Sequence, residues 1–455
     1  MDIINPATEE LVLSIEDDNL SSISTKISRA RVAQPLWAAR TYEKRAEILK
    51  KFGEILVSHK ERFAEDLTCE MGKPLAQAKG EISGVQARLD YFLEEIPKHL
   101  KPRLVHESLN MLEQVTLEPL GIIANISAWN YPYFVGANVF IPALLTGNAV
   151  LYKPSEFATI TGMNITKCLH EAGVPEEVFA PIVGGGKVGE LLLSQELDGV
   201  FFTGSHLTGK KIAAAVAPKM ARLQLELGGK DPLYVCGDVD IEKAATNAAE
   251  GCFYNTGQSC CSVERVYVHQ DIAEDFIKAY VTAVGQYKMG DPMDESVFIG
   301  PLTRESQLEI LEGQIVDALE KGATLHLGGK RSLTQGYYFE PAVLTGVNQE
   351  MALMREESFG PVIGIMVVES DQAAVEAMND TTYGLTAGVY CPDQDRAHEI
   401  LEQLKAGSVY WNCCDRVSAK LPWTGWKNSG VGSTLGEEGI CAFLQPKAWH
   451  LRKSL

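Results

Sequence analysis

The sequence predicts an α/β protein with two doubly wound parallel sheets, each in its own domain. Short apolar runs alternate with helical segments over residues 122–227, and a second series of the same kind runs over residues 231–287. Of the 455 residues, 45% are hydrophobic and 22% are charged, which supplies enough apolar material for large cores. Strand–helix alternation at this pitch is typical of parallel strands that are covered by helices on both faces.

Before the first series the chain is predicted to be helical. Over residues 41–68, apolar side chains such as Leu49, Phe52 and Leu56 recur at helical spacing between charged neighbours. This pattern predicts one long amphipathic helix that packs one face against a core.

The first α/β unit is predicted to hold five strands with helices between them. The strands, which are short apolar runs, are predicted at residues 122–127, 149–152, 180–183, 199–202 and 222–227. The helices are predicted at residues 137–145, 160–171, 188–194 and 208–216. Open α/β sheets bind their ligands at the carboxyl ends of such strands.

The second unit follows a glycine-rich stretch at residues 227–230, which is a candidate hinge. Strands are predicted at residues 231–236 and 265–269, and helices at residues 241–253 and 272–287. Residues 442–452 are predicted to form a single strand. Because no further strand follows it, we expect this strand to pair with another subunit.

Composition and charge exclude several classes of function. The formal charge of −19 argues against general binding to nucleic acid or to an anionic membrane surface. The first residues lack a basic segment followed by an apolar one, so we expect no signal peptide, and the longest apolar stretch is too interrupted for a membrane span. The ten cysteines show no zinc-finger spacing, so we expect reduced thiols, no metal site and a cytoplasmic protein.

Two side chains are candidates for covalent chemistry and general base catalysis. Cys260 follows Gly257 and a helix rich in small residues, where backbone N–H groups can hold a thiolate nucleophile. The alternative is a buried, inert cysteine, since free cysteine is among the most buried residue types. Glu226 ends an apolar strand, where an acid can act as a general base. The alternatives for Glu226 are a solvated glutamate or an ion pair with Lys230.

Two glycine-rich turns indicate nucleotide binding. Residues 184–189 fit the dinucleotide-binding pattern after a predicted strand, and Gly204 with Ser205 repeats the arrangement one unit later. Glycine lets a phosphate approach the backbone, and a helix N-terminus favours an anion. Two such turns in successive units are stronger evidence than either turn alone.

Taken together, these residues resemble the aldehyde dehydrogenase superfamily, and the likeness runs over nearly the whole chain. Besides the segments around Glu226 and Cys260, it rests on short motifs that follow the order of that family. These are Asn5-Pro6-Ala7-Thr8, Trp129-Asn130-Tyr131-Pro132, Lys153-Pro154-Ser155-Glu156, Phe202-Thr203-Gly204-Ser205, Gly300-Pro301-Leu302, Glu356-Glu357-Ser358-Phe359-Gly360-Pro361, Ser408-Val409-Tyr410-Trp411-Asn412, Pro422-Trp423-Thr424-Gly425 and Lys427-Asn428-Ser429-Gly430.

The resemblance implies a division of the chain into domains. A Rossmann-like NAD(P)-binding domain would comprise residues 1–100 and 120–228, and a catalytic domain would comprise residues 229–435. A small β oligomerisation segment would comprise residues 101–119 and 436–455, in a homodimer or homotetramer. The implied cofactor is NAD, with NADP as the alternative.

The resemblance also implies a role for each matching side chain. Cys260 would attack the aldehyde, and Asn130 would stabilise the resulting oxyanion together with the backbone N–H of Cys260. Glu226 would activate the water that hydrolyses the thioester. Of the two glycine-rich turns, the one with Ser205 is preferred over the one with Gly184 as a cofactor contact. The implied cofactor-binding residues are Trp129, Lys153, Ser155, Glu156, Gly204, Ser205, Glu357 and Phe359.

The resemblance leaves the substrate open among small aldehydes. Succinate semialdehyde would suit an inward-facing Arg416, whereas the cation of betaine aldehyde needs an aromatic box, and other small aliphatic aldehydes or aminoaldehydes are further candidates. Asn138 stands where betaine-aldehyde enzymes often have tryptophan and succinate-semialdehyde enzymes often have arginine. The residues implied to line the tunnel are Tyr131, Val135, Asn138, Ser259, Cys261, Arg416, Val417 and Trp423.

Three alternative functions remain from the sequence. A CoA-acylating semialdehyde dehydrogenase would pass the acyl group to CoA rather than to water, although such relatives generally lack the glutamate that Glu226 matches. A non-catalytic binding or structural protein on the same fold is the second alternative. A cysteine hydrolase is the third, and it would need a histidine partner that no motif marks among the nine histidines.

Overall fold

The computed structural model describes residues 1–332 and 335–453. The chain begins with an antiparallel pair of strands, β1 (Asp2–Ile4) and β2 (Leu11–Ser14). Four helices follow, which are α1 (Leu20–Ala38), α2 (Tyr42–Ser58), α3 (Lys60–Met71) and α4 (Leu75–His99). They lead to two further antiparallel strands, which are β3 (Arg103–Glu107) and β4 (Met111–Pro119).

The single helix predicted over residues 41–68 is wrong, because the structure has two helices there. The break lies at His59, whose φ of −103° and ψ of 9° leave the helical region. The His59 ring hydrogen-bonds the carbonyl of Ile55 at 3.0 Å and stacks on the Phe63 ring at 5.2 Å. Neither glycine nor proline marks this break, and the apolar periodicity continues across it.

The predicted first α/β unit is present. Its strands are β5 (Ile122–Ile126), β6 (Ala149–Lys153), β7 (Phe179–Pro181), β8 (Gly199–Thr203) and β9 (Arg222–Glu226). Its helices are α5 (Pro132–Leu145), α6 (Thr159–Ala172), α7 (Gly186–Leu193) and α8 (His206–Val216). The strand predictions agree with these bounds to within two residues at each end.

The second α/β unit is longer than the two strands and two helices that the sequence predicted. Its strands are β10 (Asp231–Val235), β11 (Val263–His269), β12 (Thr324–Leu327), β13 (Ala342–Thr345), β14 (Val362–Val368), β15 (Thr386–Tyr390) and β16 (Ser408–Trp411). Its helices are α9 (Ile241–Phe253), α10 (Ala273–Gly285), α11 (Glu305–Glu320), α12 (Ala352–Arg355), α13 (Asp371–Asn379) and α14 (Gln394–Leu401).

The last part of the chain returns to the first unit and to β4. The strand β17 (Gly430–Val431) pairs antiparallel with β9 and sets Gly430 opposite Glu226. After α15 (Gly436–Cys441), the strand β18 (Leu444–Arg452) pairs antiparallel with β4 along its whole length. The premise that the C-terminal strand has no partner in its own chain is wrong, because β4 pairs with one of its edges. The other edge of β18 is open in the sheet, so pairing with another subunit stays a prediction.

Two large sheets and one small three-stranded sheet result. The first has the order β17-β9-β8-β5-β6-β7 and the second the order β12-β13-β14-β11-β10-β15-β16, with parallel neighbours except at the edge strands β17 and β12. The strands β5 and β10 are buried along their full length, as expected when helices cover both faces. The predicted fold class, including the small antiparallel sheet β18-β4-β3, is confirmed. No helix within the described residues has the length and apolar character needed to cross a membrane.

Candidate active site

Two cavities meet near the carboxyl ends of the first sheet, and Cys260 lies in the wall of both. The larger cavity has a volume of about 980 Å³ and the smaller one about 600 Å³. Thr203, at the end of β8, also lines both cavities. Cys260 is partly exposed, so its side chain can contact a molecule in either cavity.

The loop that carries Cys260 is held by a tight backbone contact and by a side-chain hydrogen bond to other segments. After α9, Asn255 and Gly257 have positive φ angles of 53° and 71°. A Cβ atom on Gly257 would lie 2.3 Å from the carbonyl oxygen of Gly360, so only glycine fits at this position. The Asn255 side-chain amide donates to the carbonyl of Asn130 at 3.1 Å. These contacts tie the Cys260 loop to the segment that carries Asn130.

Asn130 lies with Cys260 in the wall of the larger cavity. Its backbone carbonyl accepts hydrogen bonds from Lys73 Nζ at 2.7 Å and from Asn255 Nδ2 at 3.1 Å. Its side-chain amide has no hydrogen-bond partner within residues 1–332 and 335–453. A held backbone with an unused amide donor is the arrangement that stabilises an oxyanion.

The adjacent thiol of Cys261 is engaged by other groups. Cys261 Sγ donates to Asp415 Oδ1 at 3.0 Å, and Ser259 Oγ donates to the same oxygen at 3.0 Å. The hydrogen bond with the Cys260 side chain, and then burial, raise the pKa of the Cys261 thiol well above its ordinary value. Because the thiolate is the nucleophilic form, Cys261 is poorly suited to attack a substrate.

Glu226 ends β9 and is buried in the wall of the smaller cavity. Its carboxylate accepts hydrogen bonds from the Thr434 hydroxyl and from Gln224 Nε2. Burial raises the pKa of Glu226 to about 7, although the two hydrogen bonds and the positive charge of Arg88 act in the opposite direction. A carboxyl group with this pKa is near half ionisation at neutral pH, which suits a general base.

Two alternatives from the sequence are wrong. Lys230 forms an ion pair with Glu264 at 2.7 Å, so it is not the ion-pair partner of Glu226. No histidine of the described residues lines either cavity, so Cys260 lacks the partner that a cysteine hydrolase needs.

The larger cavity brings together all residues that the resemblance assigns to the cofactor, which are Trp129, Lys153, Ser155, Glu156, Gly204, Ser205, Glu357 and Phe359. Gly186 and Gly189 of the first glycine-rich turn line the same cavity, so both turns lie there. Ser205 is the N-cap of α8, and its hydroxyl accepts a hydrogen bond from the backbone N–H of Thr208. A helix N-terminus at a cavity wall favours an anion.

Glu156 and Glu357 are among the carboxylates of the larger cavity that have no ion-pair partner within the part of the chain that the structure describes. Glu156 accepts a hydrogen bond from Ser155 Oγ, and Glu357 accepts one from the backbone N–H of Gly229, both at 3.2 Å. Burial raises the pKa of Glu357 to about 8. A Cβ atom on Gly228 would lie 2.3 Å from Glu357 Oε1, so a larger residue at position 228 would displace the Glu357 carboxylate. Two carboxylates with free acceptor sites suit the hydroxyl groups of two riboses.

The same cavity also holds positive charge and aromatic surface. Lys153 and Arg304 line it, and burial lowers the pKa of both side chains. Arg304 lies over the Trp129 ring at 5.5 Å, and Phe359 packs edge-on against Trp129 with 5.4 Å between the ring centroids. Cations suit a pyrophosphate and aromatic walls suit a nicotinamide ring, so these residues fit NAD(P). Arg304 was not found from the sequence, because it lies in no motif.

The smaller cavity brings together all residues that the resemblance assigns to the substrate tunnel, which are Tyr131, Val135, Asn138, Ser259, Cys261, Arg416, Val417 and Trp423. Arg416 is exposed, so it lies where this cavity meets solvent rather than in its interior. Asn138 is buried, and its side-chain carbonyl accepts a hydrogen bond from Arg88 Nε at 2.9 Å.

Arg88 and Asp415 are among the residues of the smaller cavity that were not found from the sequence. Arg88 lies in α4 in phase with the buried residues Val85 and Phe92, so a charge within the apolar pattern of this helix was a usable signal. Asp415 follows Asn412 in the loop after β16 and has a positive φ of 48°. No local pattern marks Asp415, because its contacts come from a segment more than 150 residues earlier.

The comparisons with known proteins agree with this geometry. Residues 1–449 match the profile of the aldehyde dehydrogenase family. The chloroplastic betaine aldehyde dehydrogenase of Amaranthus hypochondriacus is 35% identical over 457 residues, which cover 98% of this chain and 91% of that protein.

Two similar solved structures are of enzymes associated with NAD+ or NADP. A betaine aldehyde dehydrogenase from Staphylococcus aureus in complex with NAD+ is 30% identical, has a TM-score of 0.95, and is matched over 99% of this chain and 91% of that chain. An NADP-dependent enzyme of Escherichia coli is 31% identical, has a TM-score of 0.96, and is matched over 99% of this chain and 94% of that chain. The chain therefore belongs to the aldehyde dehydrogenase family, as an NAD(P)-dependent enzyme that acts on an aldehyde.

Proposed function

We propose that this enzyme oxidises a small aldehyde to the carboxylic acid through a thioester on Cys260, which water activated by Glu226 then hydrolyses. The observation that carries the proposal is the position of Cys260 in the wall of both cavities. One of these cavities fits NAD(P), and the other contains Glu226.

The first step uses Cys260 and Asn130. The Cys260 thiolate attacks the carbonyl carbon, a C–S bond forms, and the carbonyl oxygen becomes an oxyanion. The unpartnered Asn130 amide and the backbone N–H of Cys260 donate to that oxyanion, and neither donor has another acceptor among the described residues.

The cofactor side of the site is assigned to the larger cavity. We place the adenosine ribose at Lys153 and Glu156, the pyrophosphate at Ser205 and the nicotinamide ribose at Glu357, and the other residues of this wall would pack around them. A cofactor held by these residues would supply the hydride acceptor needed to oxidise the Cys260 adduct to a thioester.

The last step uses Glu226. Its carboxylate takes a proton from water, the water oxygen attacks the thioester carbon, and Cys260 leaves as a thiolate when the C–S bond breaks. The pKa of about 7 supports this role, because a useful fraction is ionised at neutral pH. A buried glutamate at this position favours transfer of the acyl group to water over transfer to CoA.

Oligomeric state, domain division and location are part of the same proposal. We assign residues 1–100 and 120–228 to cofactor binding, 229–435 to catalysis, and 101–119 with 436–455 to assembly of a homodimer or homotetramer. The ten cysteines are all free thiols in the structure, which supports a reducing compartment such as the cytoplasm.

The proposal is tested by trapping the acyl-enzyme. Glu226→Gln should give a burst of about one NADH per active site followed by slow turnover, with a thioester adduct on Cys260 by mass spectrometry. Cys260→Ala should abolish NADH formation while NAD(P) still binds, and Cys261→Ala should keep substantial turnover. A loss of NADH formation in Cys261→Ala alone would contradict Cys260 as the nucleophile. Equal slowing of burst and turnover in Glu226→Gln, without a trapped adduct, would contradict Glu226 as the deacylating base.

A further inference from the structure

An arginine that no motif marks reaches into the smaller cavity from α4. Arg88 is only 8% exposed and lines the cavity that contains Cys260 and Glu226. Its Nε donates to Asn138 Oδ1 at 2.9 Å, and its guanidinium lies over the Phe134 ring at 3.7 Å from the centroid. The side chain is thus held in place by a hydrogen bond and by a flat aromatic face.

Arg88 differs from the other buried arginines of the described chain in what its guanidinium contacts. Arg45 donates to the carbonyls of three residues, and Arg265 donates to three carbonyls and to a tyrosine hydroxyl. The terminal nitrogens of Arg88 have no acceptor within residues 1–332 and 335–453, and Arg88 forms no ion pair there. A buried cation without a carboxylate partner is costly, so an anion in the cavity would stabilise it.

The carboxylates of Glu81, Glu226, Glu250 and Asp415 line the smaller cavity, and none of them forms an ion pair with Arg88 within the described residues. The charges of Glu81 and Glu226 only partly oppose the effect of burial on the pKa of Arg88. Glu81 forms a buried ion pair with Lys73. Asp415 accepts hydrogen bonds from Ser259 and Cys261. Burial lowers the pKa of Arg88 to about 10, so the guanidinium remains charged at neutral pH.

The packing that holds Arg88 is built from several elements. The rings of Tyr131 and Phe134 stack with 6.2 Å between centroids and an interplanar angle of 10°. Lys73 lies over Tyr131 at 3.9 Å, and Arg88 lies over Phe134. A Cβ atom on Gly84 would lie 2.5 Å from Phe134 Cζ, so glycine in α4 is what admits the ring. The position of Arg88 is therefore preorganised rather than a chance orientation of a long side chain.

We propose that Arg88 binds a carboxylate at the end of the substrate remote from the aldehyde, so that this enzyme takes aldehydes of the semialdehyde class. This inference rests on the proposed oxidation at Cys260. Two free terminal nitrogens on a fixed guanidinium match the two oxygens of a carboxylate. A quaternary ammonium group at the same place would meet repulsion from Arg88 in a poorly solvated cavity. From the sequence, an inward-facing Arg416 was the candidate for this role, but Arg416 is exposed and the buried arginine of the cavity is Arg88.

A purely electrostatic role for Arg88 is the competing explanation. The positive charge of Arg88 lowers the pKa of Glu226. If that were its only role, removal of the charge would slow the turnover of all aldehydes alike. It would also shift the midpoint of the pH profile of deacylation to higher pH. A carboxylate-binding role instead changes the ratio between charged and neutral substrates of equal length.

The test compares succinate semialdehyde with its methyl ester, which is neutral and nearly the same shape, and with betaine aldehyde. Wild-type enzyme should show the highest kcat/KM with the acid. Arg88→Met, which keeps most of the volume, should lower the acid-to-ester ratio of kcat/KM by about 10- to 100-fold, mainly through KM. Arg88→Lys should retain part of the ratio, since an ammonium lacks the two-nitrogen fork. Arg40→Met is the control, because Arg40 also lies over an aromatic ring, at 5.1 Å from Trp37, but lines neither cavity.

The outcomes separate this inference from the proposed function. An equal kcat/KM for acid and ester in the wild type overturns the role of Arg88 without any variant, while NADH formation from both would uphold aldehyde oxidation. The role of Arg88 is also overturned if Arg88→Met lowers kcat/KM by the same factor for all three aldehydes and shifts the pH profile. Absence of NADH from every aldehyde would instead overturn the proposed function.

Discussion

At the scale of single residues, the environment of Glu226 controls when it can act as a base. Its pKa of about 7 results from burial, which raises it, and from hydrogen bonds, which lower it. One of these bonds comes from the hydroxyl of Thr434, which an antiparallel bridge between Trp423 and Thr434 sets beside the end of β9. The proposed base and the residue that adjusts it are therefore 208 positions apart in the chain.

Removal of the Thr434 hydroxyl should raise the pKa of Glu226 further. Thr434→Val keeps the shape of the side chain but removes a donor that favours the ionised carboxylate, which should shift the midpoint upward by about one unit. Deacylation needs the ionised form, so its rate should rise with pH through this higher midpoint and fall severalfold at pH 7. The measurement is the pH profile of steady-state turnover. Thr166→Val, in α6 and away from both cavities, is the control, and an unchanged midpoint in Thr434→Val would contradict the assignment.

Glu156 should set the preference between the two cofactors. Its carboxylate lines the larger cavity and can accept hydrogen bonds from a ribose 2′-hydroxyl, whereas a 2′-phosphate would be repelled. We expect kcat/KM with NAD to exceed that with NADP by about tenfold or more, and Glu156→Gln to reduce the difference, since about 1.4 kcal/mol corresponds to a factor of ten. Comparable efficiencies of the wild type with both cofactors would show that Lys153 offsets the repulsion.

Sequence motifs mark residues whose proposed role depends on their own segment. They do not mark residues whose proposed role depends on partners that are distant in the chain. Cys260 and Glu226, the proposed nucleophile and base, lie in motifs and were predicted as candidates without a structure. Arg88 and Thr434 contact groups 50 and 208 residues away in the chain, and such pairings leave no local pattern. The orientation of Arg416 stayed open for the same reason, because the loop position alone does not tell whether a side chain faces inward, and the structure shows Arg416 exposed.

At the scale of elements, the buried ion pair between Lys73 and Glu81 lies where α4 contacts the N-terminus of α5. Glu81 accepts hydrogen bonds from the backbone N–H of Tyr133 at 2.8 Å and pairs with Lys73. A carboxylate at a helix N-terminus is favourable, and Lys73 also donates to the carbonyl of Asn130. The pair therefore positions both the start of α5 and the backbone of the proposed oxyanion donor.

Removal of one partner of this pair should be costly. Lys73→Met leaves the Glu81 carboxylate buried without its cation, which should lower the free energy of unfolding by about 3–5 kcal/mol. The double variant Lys73→Met with Glu81→Gln should recover part of that loss, because no uncompensated charge remains. Urea unfolding measures both effects. A single variant as stable as the wild type would contradict the assignment of an ion pair.

Element boundaries show where periodicity fails as a guide. The helix α5 begins at Pro132, five residues before the predicted start, because proline at the first helical position was not used as a signal. The helix break at His59 depends on a tertiary contact with Phe63 rather than on a helix-breaking residue. Strands of the first unit were predicted well, since buried parallel strands appear as short apolar runs.

At the scale of the whole molecule, the fold class followed from the alternation of strands and helices, but the pairing order did not. The placement of β11 between β10 and β14 joins segments about 100 residues apart. The pairing of β18 with β4 joins residues more than 320 positions apart, such as Lys447 with Thr116. No local property of either strand specifies such a partner, and only the family resemblance grouped residues 101–119 with 436–455 into one small β segment.

This small sheet carries apolar side chains that the rest of the chain leaves uncovered. Leu104 and Val105 of β3 are 56% and 55% exposed, and Leu451 of β18 is 39% exposed. The strands β3 and β18 are both edges of the sheet. Exposed apolar residues on a sheet with two open edges are typical of a surface that associates with another subunit.

Charges on this surface should therefore weaken the proposed oligomer. Leu104→Lys combined with Val105→Lys places two ammonium groups where a subunit contact would desolvate them. We expect the dissociation constant of the oligomer to rise at least about 100-fold, because an unpaired buried charge costs several kcal/mol. Sedimentation velocity at micromolar concentration should show a dimer or tetramer for the wild type and smaller species for the variant. The control is Val32→Lys with Leu36→Lys on α1, where both residues are also highly exposed, at 73% and 71%. A monomeric wild type, or a variant that assembles like the wild type, would refute the assignment of residues 101–119 and 436–455 to assembly.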